Sequence, residues 1–391
     1  MNKKEKKKLV VATALITMFA TLVAIVGLQY IFGIRFIALG TYKEMSNIAK
    51  DFNKFYAMEK NVKENYLWKK DADFNKAMED AYKAYLSSLG DPYTRYLDKD
   101  ETAALSEMLE NKYTGIGLYI GQDKDGQIQA VEVIKDGPAY SAGIKDLDVI
   151  KAIDGKTYDN TKDAAKAMRG PEGSSVNLTI LRDGKTFDVS VVRSQISQST
   201  VEYRILDGKI GYIQIKSFGE NTSEEFDKAI SYLESKDVKS AVVDLRNNPG
   251  GLLDESIKIA DRLIGDGLIT YTEDNKGKKE EFKAHKGHSD INLVLLINEN
   301  TASAAEVLAA AIKDHGGTLV GVKSYGKGII QETIMYKDNT ALSVTTKQYF
   351  SPKGDVIHKK GIEPTVEVSL PSDATDDLQL NKAIEILNSN K

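Results

Sequence analysis

Three apolar runs in the second half of the chain constrain its fold more than any other feature. Residues 211–215, 240–245 and 293–297 are strand-like runs without regular alternation of apolar and polar side chains, and helical patterns accompany them at residues 223–233 and 302–312. Strands with both faces buried show this pattern, and they occur in parallel or mixed sheets that helices cover on both sides. The sequence therefore predicts an α/β sheet domain.

A shorter region before this domain has the signals of a small strand-rich domain. A strand-like run at residues 130–134 precedes Gly-Pro-Ala at residues 137–139 and Ala-Gly-Ile at residues 142–144, which bracket a short helix. Two later strands are joined by Arg-Asp-Gly at residues 182–184, and Asp-Gly is a strong hairpin signal. The order of these elements resembles a PDZ domain in its circularly permuted bacterial form.

The region before residue 110 is predicted to be helical. Apolar and aromatic side chains recur at three- and four-residue spacing, for example at Phe52, Phe55 and Tyr56. The string Gly-Asp-Pro at residues 90–92 interrupts this pattern and is typical of a turn. The segment is too thin to bury a core of its own. We therefore expect it to pack on another domain or on a second copy, and it is the candidate surface for a homodimer.

The N-terminus predicts a membrane anchor. Lysines at positions 3, 4, 6, 7 and 8 precede a run without charge from residue 9 to residue 34, longer than the roughly 20 residues that cross a bilayer. A cleavable signal peptide has a shorter apolar region and a small-residue cleavage site. The positive-inside rule then predicts a single-pass protein of the cell membrane, with a cytoplasmic N-terminus and everything after Arg35 outside. A long buried core helix is the alternative.

Together these patterns predict a mixed α/β chain in four parts. Residues 1–34 form a basic tail and transmembrane anchor, and residues 35–110 form a helical segment for packing or dimerisation. Residues 111–195 form the PDZ domain, and residues 196–391 form the α/β sheet core.

The composition excludes several kinds of site. The chain has no cysteine, so disulfides, a thiolate nucleophile and cysteine-bound metals are impossible. The net charge is -4, and charges of both signs are spread along the chain, which argues against binding of nucleic acid. We expect no metal and no cofactor.

Two turns follow the buried strands of the predicted core, at residues 244–251 and 298–306. Ligand sites in open α/β sheets form beyond the carboxyl ends of strands, where helix N-termini direct N–H groups at ligands. Ser303 would lie in the first turn of its helix, where the N–H of Ala304 can meet an oxyanion that develops on a substrate. Gly250 and Gly251 can bring a second N–H close, because no side chain blocks the approach.

A serine nucleophile at this position needs a base. The four histidines, at positions 285, 288, 315 and 358, lie outside the glycine-marked strand ends. Lys327, between two glycines, is the other candidate. Its pKa would have to fall from about 10.4 towards 7–8, which burial in an apolar pocket can cause. A solvated surface lysine is the interpretation that the residues by themselves leave open.

Several strings together resemble one family of peptidases. They are residues 91–96 (Asp-Pro-Tyr-Thr-Arg-Tyr), the PDZ-like region, and residues 244–251, 298–306 and 324–331. The family is that of the carboxy-terminal processing (tail-specific) peptidases, which are serine proteases with a Ser/Lys dyad. The resemblance implies that residues 196–391 are a protease core, with Ser303 as nucleophile and Lys327 as general base.

The resemblance also assigns supporting residues. Gln331 would orient Lys327 by a hydrogen bond, because four residues along a strand return to the same face. Asp244, Arg246 and Glu306 match positions that support the site in this family. A purely structural role for those three charges is equally open.

The PDZ-like region implies how substrates are selected. In this family the groove takes the C-terminal residues of protein substrates by strand addition, with backbone N–H groups on the carboxylate. The predicted cradle is Thr114, Gly115, Ile116 and Gly117. Arg169 would link an occupied groove to the core through a carboxylate, and an ordinary surface arginine is the alternative. The predicted function is a membrane-anchored serine endopeptidase that recognises C-termini.

Two other functions fit parts of the sequence. A non-catalytic PDZ adaptor with a degenerate core would not need the intact set of Ser303, Lys327 and Gln331. An acyl hydrolase or transpeptidase could use the same dyad, but no Ser-x-x-Lys pattern accompanies Ser303, and the PDZ-like region implies a polypeptide substrate.

Overall fold

The structure is a computed structural model that describes residues 2–32, 39–285, 287–371 and 374–389. It divides into two compact units, residues 1–80 and residues 81–391. The helices are α1 (Lys3–Phe32), α2 (Leu39–Asn65), α3 (Phe74–Ser87), α4 (Lys99–Glu110), α5 (Pro138–Ser141), α6 (Thr161–Met168), α7 (Thr222–Ser235), α8 (Leu253–Leu263), α9 (Ala304–Asp314) and α10 (Leu378–Ser389).

All the strands that the structure describes lie in the second unit. They are β1 (Arg95–Leu97), β2 (Lys112–Gly115), β3 (Leu118–Gln122), β4 (Ile128–Val133), β5 (Val149–Ile153), β6 (Ser175–Arg182), β7 (Lys185–Val192), β8 (Ser194–Ser197), β9 (Val201–Leu206), β10 (Ile210–Ile215), β11 (Ser240–Asp244), β12 (Gly267–Asp274), β13 (Lys279–Ala284), β14 (Asn292–Ile297), β15 (Thr318–Gly321), β16 (Ile329–Met335), β17 (Ala341–Phe350) and β18 (Val366–Glu367).

The first unit begins with α1, whose first turns carry the lysine cluster. Among the helices that the structure describes, none combines the length and the apolarity needed to cross a membrane. The run predicted as an anchor ends at residue 34, and residues 33–38, Arg35 included, lie outside the described residues. The anchor therefore gains no support from the structure and stays a prediction from the sequence.

The strand-rich region forms an antiparallel sheet in the order β3-β4-β5-β6-β7. Asp183 and Gly184 join β6 to β7 with positive φ angles of 50° and 73°, so the predicted Asp-Gly hairpin is confirmed. The sheet packs with α5 and α6 around buried side chains that include Ile153, Leu178 and Ile180. A separate antiparallel pair, β2 with β8, joins the start and the end of this region.

The predicted α/β sheet has six strands in the order β18-β15-β14-β11-β10-β9. Neighbours from β18 to β10 run parallel, and β9 is antiparallel to β10. Every residue of β11 is buried, which explains why its sequence lacks alternation. The prediction of a mixed sheet is therefore confirmed.

Helices cover both faces of this sheet. On one face Ile213, Val243 and Leu295 pack with apolar residues of α7, α8 and α9. On the other face Val242 and Leu296 pack with Ala383 and Leu387 of α10, a helix that the sequence did not predict. The parallel strands end at the edge where α8 and α9 begin, and the candidate site lies there.

A second sheet, which the sequence did not predict, joins β1, β17, β12 and β13, with β16 paired to β17. Strand β1 lies in the region predicted to be helical, and it pairs antiparallel with β17 through Arg95 with Ser343 and Leu97 with Ala341. Residues 35–110 are thus helical only in part. A strand of three residues is too short to show a period in sequence, and its partner strand stabilises it.

Candidate active site

The turn after β11 approaches Ser303 closely at Gly250. The Phe218 N–H donates to the Gly250 carbonyl at 2.9 Å, and a parallel bridge joins Phe218 to Gly251. Gly250 has a φ of +98°, and an added Cβ would lie 2.7 Å from Ser303 Cβ and 2.8 Å from the Ala302 carbonyl oxygen. Only glycine fits there, because any side chain would overlap the backbone of the second turn.

The predicted oxyanion donors do not all have a free N–H. The N–H of Gly250 donates to Asn248 Oδ1 at 2.8 Å, so it is already used, contrary to the expectation from the sequence. Asn248 is completely buried, and its Nδ2 donates to the Ile215 carbonyl at 2.8 Å. Within the described part of the chain, the N–H groups of Gly251 and Ala304 have no acceptor. These two can meet an oxyanion.

Ser303 precedes α9 in a conformation that is rare for a residue with a side chain. Its φ is 57° and its ψ is -122°. Backbone held in such sparsely populated regions costs of order 1–3 kcal/mol and is concentrated at functional sites. The helix that follows is buried from Ala304 to Ile312, so the serine is fixed on a rigid element. Ser303 itself is partly exposed.

Glu306 joins the serine turn to the lysine turn. Its side chain is completely buried. Oε2 accepts from the N–H of Ser303 at 2.9 Å and from the N–H of Lys327 at 2.8 Å. Oε1 accepts from Ser324 Oγ at 2.6 Å and from the Gly326 N–H at 2.7 Å. Burial raises the pKa of Glu306, while its four donors favour the charged form. One carboxylate thus fixes both turns.

Lys327 is half-buried, and its backbone N–H is one of the four donors to Glu306. Burial lowers the pKa of Lys327, the charge of Arg95 lowers it further, and Asp91 and Glu306 oppose the change. Its Nζ lies 4.7 Å from the ring centroid of Tyr93, and it forms no ion pair with a carboxylate that the structure describes. The hydrogen bonds of the described residues do not include one between Lys327 Nζ and Ser303 Oγ.

Tyr349 and His358 also lie at the lysine turn, and the sequence did not predict either. Tyr349 is buried, and its hydroxyl donates to the Lys327 carbonyl. Burial and the charge of Glu306 raise the pKa of Tyr349 well above its usual value, so the phenol stays protonated. Burial lowers the pKa of His358, whose buried Nδ1 has no partner among the described residues. His358 is therefore a second candidate base.

The glycines on either side of Lys327 are the feature of the sequence that could have indicated a second chain segment at this turn. A Cβ added at Gly328 would lie 2.3 Å from the backbone nitrogen of His358, and one added at Gly326 would lie 3.0 Å from the nitrogen of Gly361. The pattern Gly-Lys-Gly thus marks a close approach of two chain segments. It does not reveal which segment approaches, so the sequence could not single out His358.

Gln331 does not bond to Lys327 in this structure. Its Nε2 donates to Thr345 Oγ1 at 3.3 Å. The expectation from strand parity does not apply to this pair, because Lys327 precedes β16 and side chains alternate between two faces only within the strand. The register with β17 also shifts between Ile330 and Gln331, with the extra residue on β17, and this shift places Thr345 opposite Gln331.

Asp244 and Arg246 stabilise the turn after β11 through contacts with β10 and with the start of α10. Asp244 is buried and accepts from the Tyr212 hydroxyl at 2.7 Å. Arg246 donates to Asp244 at 2.7 Å and to Asp377 at 2.8 Å. Because Asp377 directly precedes α10, these pairs tie the turn after β11 to the C-terminal helix. Their contacts are those of a structural support.

The predicted peptide cradle lies beside a groove of the PDZ-like sheet. A cavity of about 360 Å³ is lined by residues that include Gly115, Ile116, Gly117, Met168 and Arg169. Thr114 does not line it and pairs instead with Gln195 of β8. Arg169 donates to Glu107 of α4 at 2.9 Å, and its guanidinium lies 5.6 Å from the Tyr113 ring. The carboxylate that pairs with Arg169 is therefore on α4 and not in residues 196–391, so Arg169 does not contact the core directly as the sequence predicted.

Comparisons with known proteins agree with this architecture. The model of peptidase family S41 matches residues 209–368, and a PDZ domain model matches residues 129–182. The carboxy-terminal processing protease CtpA of Bacillus subtilis (strain 168) is 37% identical over 335 residues, which cover 84% of this chain and 71% of that protein. A CtpA-like serine protease of Staphylococcus aureus (strain COL) is 36% identical over 371 residues, covering 93% and 72%.

A solved structure extends the likeness to the fold. It is an S41 protease from Bacteroides fragilis, 18% identical, with a TM-score of 0.54 over 85% of this chain and 97% of that one. At this identity the match concerns the fold alone. The chain belongs to peptidase family S41, among the carboxy-terminal processing proteases, which are serine-type enzymes with a PDZ domain.

Proposed function

We propose that this protein is an endopeptidase in which Ser303 is the nucleophile and Lys327 the general base. The observation that carries the proposal is the Glu306 carboxylate, which accepts hydrogen bonds from the N–H groups of both residues. The lowered pKa of Lys327 supports the role of base, because it increases the fraction of neutral amine near neutral pH.

The proposed reaction gives each of these groups one step. The neutral amine of Lys327 takes the proton of Ser303 Oγ as the oxygen attacks the substrate carbonyl. The N–H groups of Gly251 and Ala304 donate to the resulting oxyanion. The Lys327 ammonium then protonates the leaving amine. The neutral Lys327 amine next deprotonates the water that attacks the acyl group, and it returns that proton to Ser303 Oγ as the acid product leaves.

The test compares base candidates on casein and on a peptide with a free C-terminus. Ser303→Ala, Lys327→Ala and Lys327→Arg should each lose about 10³-fold or more of kcat/KM, since arginine keeps the charge but cannot accept a proton. His358→Gln should stay within a few-fold of wild type, and melting curves should show that every variant folds. Full activity of Lys327→Ala would contradict the lysine base, and an inactive His358→Gln would indicate the histidine. A wild type inactive on both substrates would favour the adaptor.

We further propose that the groove beside Gly115 and Gly117 binds the C-termini of protein substrates. Strand β3 supports this proposal, because it is the edge strand of the PDZ-like sheet and lines the groove. A peptide that pairs with an edge strand forms main-chain hydrogen bonds whatever its own sequence is. The test compares two peptides that differ only in ending in a free carboxylate or in a carboxamide. If the groove recognises C-termini, the peptide with the carboxylate should bind more tightly and be cleaved faster. Equal cleavage and equal binding of the two peptides would contradict it.

The location and the assembly are also proposals. The lysine cluster and the apolar run at residues 9–34 support a cell-membrane anchor with the catalytic part outside, and α1 exposes Leu15, Ile16 and Phe19. Intact cells treated with an external protease should lose the catalytic part while a cytoplasmic marker survives. Retention of the catalytic part, with the marker intact, would contradict this orientation.

A homodimer is supported by the exposed aromatic face of α2. Phe52, Phe55 and Tyr56 are 60%, 42% and 63% exposed on one face of the helix, and a contiguous exposed apolar patch is typical of an interaction surface. Sedimentation of the full chain in detergent should show a dimer for the wild type. The double variant Phe52→Gln/Tyr56→Gln should sediment as a monomer. Lys54→Gln, at an exposed position on the opposite face of the same helix, is the control, and a wild-type monomer at all concentrations would contradict the proposal.

A further inference from the structure

The turn at residues 91–94 reaches the lysine from a part of the chain that the proposed mechanism does not use. Asp91 Oδ1 accepts from the Tyr93 N–H at 3.0 Å, and Asp91 Oδ2 accepts from Thr94 Oγ1 at 2.6 Å. These bonds close the turn on itself. Burial raises the pKa of Asp91, but the hydrogen bonds from Thr94 and Thr345 outweigh it and lower that pKa overall, so the carboxylate stays charged.

Further hydrogen bonds fix the turn on β17. The Thr345 N–H donates to Thr94 Oγ1 at 3.0 Å, and Ser343 Oγ donates to the Tyr93 carbonyl at 3.3 Å. Thr345 Oγ1 in turn accepts from Gln331 Nε2. Asp91, Thr94, Thr345 and Gln331 are therefore linked in one chain of polar contacts. The backbone of Tyr93 is bonded to Asp91 and Ser343, which fixes the position from which its ring extends.

The ring of Tyr93 faces the Lys327 ammonium. The distance of 4.7 Å from Nζ to the ring centroid is within the roughly 6 Å over which an aromatic face attracts a cation. We propose that Tyr93 is a positioning residue of the active site, which holds the Lys327 side chain for its work at Ser303, and that Asp91 and Thr94 fix the ring. The inference rests on the proposed role of Lys327 as general base.

The ring also acts on the proton affinity of Lys327. An aromatic face attracts the ammonium and not the neutral amine, so Tyr93 opposes the lowering of the Lys327 pKa by burial. Burial, with the Tyr325 hydroxyl beside it, raises the pKa of Tyr93 to about 12, so the phenol stays neutral near neutral pH. The other titratable groups around the lysine turn are Asp91, Arg95, Glu306, Tyr349 and His358.

Three variants separate positioning from mere structural support. Tyr93→Leu removes the aromatic face, Tyr93→Phe keeps it, and Tyr96→Leu is the matched control. Tyr96 is a buried tyrosine of the same segment whose ring packs 5.4 Å from that of Tyr82. Competitive labelling with trace acetic anhydride, read by mass spectrometry across pH, measures the pKa of Lys327 without requiring activity. Steady-state kinetics of peptide cleavage give kcat and KM for the same proteins.

The expected result is a lower Lys327 pKa in Tyr93→Leu, with kcat reduced about tenfold or more and KM little changed. Tyr93→Phe should restore both quantities to near wild type, and Tyr96→Leu should leave the Lys327 pKa in place even if it melts earlier. An unchanged Lys327 pKa in Tyr93→Leu, equal effects of Phe and Leu, or a higher kcat in Tyr93→Leu would overturn the proposal. Activity of Lys327→Ala would instead contradict the base itself, while the labelling curves still decide the contact with Tyr93.

Discussion

At the scale of single residues, the active-site geometry depends on groups that do no chemistry themselves. Glu306 receives four hydrogen bonds in a completely buried position, and two of them come from the backbone of Ser303 and Lys327. Gly250 leaves the space in which the serine turn fits. Both residues are therefore expected to be intolerant of even conservative replacement.

Glu306→Gln should destabilise the core although it preserves the shape of the side chain. Each carboxylate oxygen faces at least one backbone N–H, so the amide NH₂ must point at a donor in either orientation. A buried donor without a partner costs about 1–3 kcal/mol, and the melting temperature should fall by several degrees along with activity. Glu299→Gln, at an exposed position, is the control. Equal melting temperatures for the two variants would show that the hydrogen bonds to Glu306 do not stabilise the core.

Gly250→Ala should remove activity and lower stability more than a glycine replacement elsewhere. The added Cβ would lie 2.7 Å from Ser303 Cβ, so the two turns must separate. Gly316→Ala is the matched control, because Gly316 has a similar φ of +90° but no atom within 4 Å of an added Cβ. Thermal melting and peptide cleavage of both variants measure the difference. Comparable losses would mean that backbone strain, and not contact with Ser303, limits position 250.

At the scale of elements, α4 connects the PDZ-like sheet to the core. A capping box between Asp98 and Glu101 precedes its first turn, and Asn111, with a φ of 51°, is its C-cap. Near its end, Glu107 pairs with Arg169 of the groove loop. At its end, Asn111 Nδ2 donates to the Glu220 carbonyl at 2.9 Å, close to the strand bridge at Phe218. One helix thus contacts both the groove and the segment beside the oxyanion turn.

Gly219→Ala should loosen this contact. An added Cβ would lie 2.0 Å from Asn111 Oδ1, and the carboxamide would have to leave the Glu220 carbonyl. The lost hydrogen bond predicts a destabilisation of about 1 kcal/mol and faster hydrogen exchange at the end of α4. Gly208→Ala, where an added Cβ meets nothing within 4 Å but φ is +76°, is the control for backbone strain, and it should leave the exchange in α4 unchanged. Unchanged exchange in α4 of the Gly219→Ala variant would show that Asn111 finds another partner at no cost.

Elements also differ in how far the sequence predicted them. The parallel strands of the core and the Asp-Gly hairpin were predictable, because burial on both faces and a turn with positive φ leave local signatures. Strand β1 and helix α10 were not predicted. Strand β1 exists through its pairing with β17, and α10 covers a sheet face that only the assembled sheet presents.

At the scale of the whole molecule, buried ion pairs make stability depend on pH. Asp148 is 1% exposed and pairs with Arg182 through both carboxylate oxygens. Burial raises the pKa of Asp148, but the hydrogen bonds from Arg182 and the Lys145 N–H outweigh it, so this pKa lies below its usual value. A carboxyl with a lowered folded pKa stabilises the protein above its unfolded pKa, and the contribution disappears as pH falls through the folded value.

Asp148→Asn should therefore lower the free energy of unfolding at neutral pH, and it should lower it by a smaller amount in acid. Loss of one partner of a buried pair costs about 3–5 kcal/mol, whereas protonated Asp148 in acid already resembles the variant. Hydrogen exchange of the amides of β5 and β6 at pH 7 and near pH 3 measures the two differences. Asp125→Asn, at an exposed position, should show no difference at either pH. A variant effect as large in acid as at neutral pH would contradict this origin of the stability.

The sequence by itself determined the mixed core sheet, the PDZ-like region, and Ser303 and Lys327 as the candidate pair. These depend on local periodicity, on turn glycines and on strings that match a family. Only the tertiary structure decided which N–H groups are free for an oxyanion, that Gln331 bonds to Thr345, and that Tyr93 and His358 lie at the lysine turn. Such contacts join segments far apart in the chain. Their partners are fixed by strand register, by a bulge and by pairing between sheets, and none of these leaves a mark on the residues that they bring together.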